Sequence, residues 1–156
     1  MTLLTTINNA IDPLRRFSDT IASPLLDLGI RLFAANIFFT SGWSKFKNFL
    51  NDDWGTTLYL FQDVHIVPLI PAQAAAVLGT GTEVLLPILL VFGLFTRFAA
   101  AGLIATTVLI EFFVVDGFGD SLSNPDHYLW MLILAVPFIK GPGKLSLDHF
   151  LVKILR

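Results

Sequence analysis

From residue 3 onward, Leu3, Ile7, Ile11, Leu14, Phe17 and Ile21 recur at every third or fourth position. Asn8, Asn9, Asp12, Arg15, Arg16 and Asp19 fill the places between them. One apolar stripe on an otherwise polar helix suits a segment lying in a membrane interface, and Pro13 is expected to break or restart it. The competing reading is an N-terminal helix packed on protein. After Pro24 the pattern changes to long apolar runs at 24–44, 72–94, 97–115 and 125–139. At about 1.5 Å of rise per residue, the run at 72–94 can cross a hydrocarbon core of about 30 Å. The fourth run is short for a bilayer and is expected to borrow from its flanking loops. Between the first two runs, Trp54, Leu58 and Phe61 share a helical face, Asp53 can cap its start, and Val67 with Pro68 ends it. This predicts a short helix across the outer membrane surface, with Trp54 and Tyr59 as interfacial aromatics. Gly141, Pro142 and Gly143 break the chain before a last amphipathic stretch, capped by Ser146 or Asp148, with Leu147, Phe150, Leu151 and Ile154 on its apolar side. The predicted fold is all-α: an integral membrane four-helix bundle with an N-terminal amphipathic interfacial helix (1–23) and a short C-terminal amphipathic tail (146–156). A single membrane domain then covers 1–156.

Composition agrees with a membrane class. Apolar residues make up 54% of the chain, 15 residues are Phe, and only 14% are charged, against about 25% in soluble domains. A net charge of −2, with no basic run and no Gly-rich phosphate loop, gives no nucleic-acid signal, and no nucleic-acid partner is expected. The absence of cysteine excludes disulfides, thiolate catalysis, Cys-ligated iron–sulfur clusters and covalent c-type haem. In any redox role, electrons would reside on a bound molecule or a partner. The first twenty or so residues are too polar for a cleavable signal peptide. Lys and Arg are distributed unevenly: Arg15, Arg16, Arg97, Lys140, Lys144, Lys153 and Arg156 fall on one side of a four-span chain. Lys45, Lys47 and the loop aspartates 52, 53, 63, 116 and 120 fall on the other. The positive-inside rule therefore places both termini in the cytoplasm.

Charges within the spans are the candidate chemistry. A carboxylate at mid-bilayer costs about 3 kcal/mol on insertion scales, so Glu83 must face protein or water, be paired, or be protonated. Gly79, Thr80 and Pro87 surround it with small side chains that let another helix approach. In the first span, Asp27, Arg31, Ala35, Phe38, Gly42 and Lys45 form one stripe. Asp27 and Arg31 can pair in part. Arg31 is expected to take Glu83 as its further partner, through the planar fork of the guanidinium. Lys45 is expected to snorkel to the far surface. Glu111, His127 and Trp130 lie toward the outer leaflet, so Arg31, Glu83, Glu111 and His127 are predicted to line an interior open to the outside. Each also has a structural reading: Arg31 and Glu83 as a packing pair, Glu111 in surface water, His127 as an interfacial cap. A di-iron site is excluded because no Glu-x-x-His occurs. Bis-His haem fails because His65 and His149 lie in a loop and the tail. Copper through Met is weak with only Met1 and Met131. No metal is expected and no catalytic residue is assigned. A quinone headgroup fits better, since it needs hydrogen bonds, aromatic walls and access from lipid.

The order of these features resembles the DoxX family of small four-helix bacterial membrane proteins. The resemblance is carried by R-x-F-x-A-N-x-F-x-x-S-G-x-x-K at 31–45, V-P-L-I-P at 67–71 and T-E-V-L-L-P-I-L-L-V-F-G-L-F-T-R-F-A-A at 82–100. D-H-Y-L-W at 126–130 and G-P-G-K-L-S-L-D-H at 141–149 complete it. It implies four transmembrane helices, a bacterial inner-membrane location and a link to redox processes. Relatives include a subunit of thiosulfate:quinone oxidoreductase, and others associate with thiol and oxidative-stress systems. It carries over no catalytic residue. Two functions of different classes follow. The first is a redox-associated membrane subunit that binds a quinone or relays protons for a partner oxidoreductase. The second is a non-catalytic scaffold or small-solute carrier whose buried charges hold the bundle or line a path. A homo-oligomer is compatible with either.

Overall fold

Proline and glycine set the helix limits. Pro125 stands in the first turn of its helix, where a missing N–H removes no bond, and Pro71 stands just before another. A computed structural model describes residues 3–116 and 118–155, with side-chain surroundings given from residue 8 onward. Its helices are α1 (Leu3–Phe17), α2 (Ser23–Leu50), α3 (Trp54–Tyr59), α4 (Ala72–Phe92), α5 (Thr96–Phe113), α6 (Pro125–Lys140) and α7 (Leu147–Ile154). Single π-helical turns at Ser18–Ala22 and Leu60–Val64 follow α1 and α3. Among the described residues there is no strand, only isolated bridges that tie Val115 to Ile66 and to Ser121.

Among the described residues, three helical stretches are long and apolar enough to cross a membrane: Asn8–Leu50, Ala72–Phe92 and Thr96–Phe113. Two expectations need correction here. Pro13 does not break the first helix: α1 runs through it to Phe17 and continues by way of the π turn into α2. The first span also continues past residue 44 to Leu50. The expected apolar contributions of Leu3 and Ile7, and the charge of Arg156, lie outside the described side chains.

Packing follows the predicted stripe. Arg31, Ala35, Phe38, Gly42 and Lys45 are all buried on one face of α2. α2 packs on α4 and α6, and α5 packs on the same two helices. The core is Ala34, Ala35 and Phe38 of α2, Leu90 of α4, Ala99, Ala100 and Leu103 of α5, and Leu134 of α6. Small residues dominate it because close helix approach, rather than bulky burial, holds helices together where lipid is as apolar as leucine. A second cluster places Phe61 against Ala75 and Ala76, so the connection after α2 packs on the start of α4. Asp53 stands at the N-cap of α3, but its carboxylate accepts from the Thr56 hydroxyl at 2.9 Å instead of a backbone N–H.

At the end of the molecule that holds the α4–α5 turn, the tail fastens the helices. Gly93 ends α4 with φ +64, and a Cβ there would meet Arg31 and Ser146. Only glycine combines that left-handed backbone with so little room. Ser146 caps α7, and Asp148 acts elsewhere: its carboxylate accepts the N–H groups of Phe95 (2.9 Å) and Thr96 (3.0 Å) and the Thr96 hydroxyl (2.9 Å). It therefore caps α5 from a distant part of the chain. Asp148→Ala is expected to destabilise by about 1–2 kcal/mol, the usual worth of a helix cap. An unchanged unfolding midpoint would show that water replaces the cap without loss.

Candidate functional site

Glu83 is paired, but not with Arg31. Lys45 Nζ donates to Glu83 Oε2 at 2.5 Å and to the Ser41 hydroxyl at 2.8 Å, and both charged side chains are about nine-tenths buried. The expectation that Lys45 snorkels to the surface is thus overturned by helix geometry. A helical side chain leans toward the N-terminus of its helix, and for Lys45 that direction is inward, back toward Gly42 and Glu83. Gly42 makes the meeting possible, since a Cβ there would lie 2.6 Å from the Glu83 carbonyl carbon.

Arg31 lies at the other end of α4. Its Nη1 donates to Leu90 O at 3.3 Å and its Nη2 to Leu145 O, while buried Nε has no partner. Leu90 is two turns beyond Glu83, about 10 Å along the axis, which puts the expected Arg31–Glu83 pair out of reach. The guanidinium instead joins a carbonyl in the last turn of α4, where a cation is favoured by the helix dipole, to a carbonyl of the tail before α7. Asp27, expected to share Arg31, pairs with Lys140 at 2.6 Å.

Glu111 and His127 meet each other. Glu111 Oε2 lies 2.7 Å from His127 Nδ1 and accepts the Asn124 N–H at 2.9 Å, and its Oε1 accepts the Ser123 hydroxyl at 2.5 Å. This carboxylate is buried rather than in surface water, and it anchors the N-terminal end of α6. The Glu111 carboxylate fixes the orientation of the imidazole through Nδ1 and leaves Nε2 free of that contact. Trp130 stands edge-on to the His127 ring at 5.0 Å.

These groups border a cavity of about 380 Å³. Lys45 and Glu83 lie on one wall and His127 and Trp130 on another, with Phe61, Val67, Leu109 and Ile110 among the apolar lining. Of the six residues singled out from the sequence, Lys45, Glu83, His127 and Trp130 line it, Glu111 stands directly behind His127, and Arg31 is outside. His65, dismissed as a loop residue, also lines the cavity. The available signal was its position one turn after inward-facing Phe61, whose ring it meets at 6.4 Å.

Burial first, then the Lys45 charge, pushes the His65 imidazole below its ordinary pKa of 6.5, against an opposing pull from Glu83. The folded chain therefore holds His65 neutral where the unfolded chain would take up a proton. Its contribution is present above pH 6.5 and declines as the pH falls below that value. Thermal unfolding between about pH 8 and 5 should show a steeper acid loss for the native protein than for His65→Gln. Parallel curves would show that folding leaves this histidine's proton affinity unchanged.

Chemically, the cavity offers an ammonium donor, an imidazole nitrogen, an adjacent carboxylate and aromatic walls, enclosed by apolar side chains. That combination suits a molecule with an apolar body and a few polar atoms. The DoxX family model matches residues 26–116, from the first turn of α2 to the loop after α5. An uncharacterized protein of Haemophilus influenzae is 33% identical over 142 residues, covering 86% of this chain and 88% of its own length. No solved structure matches the chain. Matched across α2, α4 and α5, with apolar helices that mark a membrane protein, the chain belongs to the DoxX family.

Proposed function

We propose that this protein is a redox-associated subunit of the bacterial inner membrane, in which the cavity between Lys45–Glu83 and His127 binds a quinone headgroup on behalf of a partner oxidoreductase. The observation that carries this reading is the placing of two hydrogen-bonding groups, each backed by a carboxylate, on separate walls of one apolar chamber of about 380 Å³. Lys45 can donate to one quinone oxygen. His127, oriented by Glu111, can meet the other, and Trp130 supplies an aromatic wall. In this reading α2, α4, α5 and α6 are the four spans, α1 and the π turn after it lie in the interface through exposed Leu14, Phe17 and Ile21, and α7 is an amphipathic tail. Both termini are cytoplasmic, by the asymmetry of Lys and Arg, and the cavity lies toward the outer side.

The test is extraction. Protein purified from membranes is expected to carry a quinone whose ultraviolet absorbance changes on reduction, and His127→Ala to lower its occupancy about tenfold, a loss of about 1.4 kcal/mol of binding. A native protein that neither carries nor takes up quinone, yet still captures a partner, would point to the scaffold instead.

A further inference from the structure

The hairpin of α4 and α5 is closed at one end and parted at the other. About two turns from Gly93 the helices touch closely: a Cβ on Gly102 would collide with Leu86. Counted outward from that contact in an antiparallel hairpin, Thr82 is level with Thr106 and Leu78 with Ile110. All four of these residues line the cavity, together with Gly79 and Leu109. At this level, side chains of both helices therefore border the chamber. Leu78 is at once a lining residue and 63% exposed on the outside of the molecule. Only the thickness of such side chains separates the chamber from the lipid-facing surface.

The slot is apolar in character. Thr82 donates its hydroxyl to Leu78 O at 2.7 Å, and Thr106 donates to Gly102 O at 3.0 Å. Each threonine is satisfied by its own helix, so neither offers its hydroxyl hydrogen to a passing solute. A hydrated ion or sugar would lose water here without compensation, whereas a hydrocarbon tail would lose nothing. Lys45 and Glu83 lie deeper, where a polar head would end.

We infer that the outer halves of α4 and α5 form a lateral portal through which a lipid-dissolved ligand enters, its polar head reaching Lys45 and Glu83 while its hydrocarbon tail stays between the helices. This rests on the cavity being the quinone site proposed above, and it adds the ligand class: a tailed quinone delivered from the bilayer rather than a solute from water.

The cysteine-free chain permits a direct test. Thr82→Cys and Thr106→Cys, introduced together, are bridged with a short bis-methanethiosulfonate in bilayer discs. Binding is then measured for a benzoquinone with a decyl tail and for the same headgroup with a methyl group supplied in water. Bridging should lower capture of the tailed quinone about tenfold while leaving the tailless form within about twofold, and thiol reduction should restore capture. Failure of the two positions to bridge overturns the register of the slot. A bridged protein that binds both forms normally overturns the portal, as does an equal loss of both, which would mean that bridging deforms the chamber. If the native protein binds neither form, the quinone reading itself fails and the portal with it.

Discussion

Glu83→Leu is expected to destabilise the protein by about 3–5 kcal/mol, because it leaves the Lys45 ammonium buried without its carboxylate. Lys45→Leu should cost a similar amount for the converse reason. Combining the two removes both charges and should recover most of the loss, since a buried ion pair replaced by apolar side chains is often close to neutral. Unfolding of the four proteins of this cycle, measured in the same detergent or bilayer, gives the coupling directly. If the double variant is as unstable as the two singles added together, the 2.5 Å contact contributes nothing specific. Arg31→Leu supplies the contrast. Its partners are the carbonyls of Leu90 and Leu145 rather than Glu83, so combining it with Glu83→Leu should give additive losses.

Gly42→Leu should be nearly as damaging. The backbones of α2 and α4 approach tightly at this residue, where a Cβ would stand 2.6 Å from the Glu83 carbonyl carbon and 2.7 Å from its oxygen. Backbone cannot swing aside as a side-chain tip can, so the helices must part. Overpacking of this kind costs about 1–3 kcal/mol, at times more. The displacement would also draw Lys45 away from Glu83. A loss of stability together with a loss of quinone occupancy is the expected result. Gly42→Ala with native stability would mean that the two helices can slide without cost.

Pro87 adds to the same crossing. It cannot donate a hydrogen bond, which frees the carbonyl of Glu83 four residues earlier, and the tight approach of Gly42 covers that carbonyl. A glycine in α2, a proline in α4 and a lysine one turn beyond the glycine thus act on a single residue, Glu83.

Much of this architecture was legible in the residues taken in order. Spacing of three and four identified the inward stripe of α2 from Arg31 through Lys45, because a helix presents one face at that period whatever it packs against. Apolar run length identified α4 and α5, because bilayer thickness sets how many residues a crossing needs. Proline and glycine marked the ends, because their backbone constraints act locally. Partner choice is different in kind. Whether Glu83 meets Arg31 or Lys45 depends on how far α2 and α4 are displaced along their axes, because the two cations stand about four turns apart on one face of α2. That displacement is set by the contact at Gly42 and by the tail residues around Gly93, which lie far apart in the chain. The same holds for His65, brought to the cavity when Phe61 packs on Ala75 and Ala76, and for Asp148, which caps a helix begun fifty-two residues earlier. Sequence periodicity determined which faces turn inward. Only the axial fit of one helix against another, governed by where two backbones can touch, decided which charges meet there.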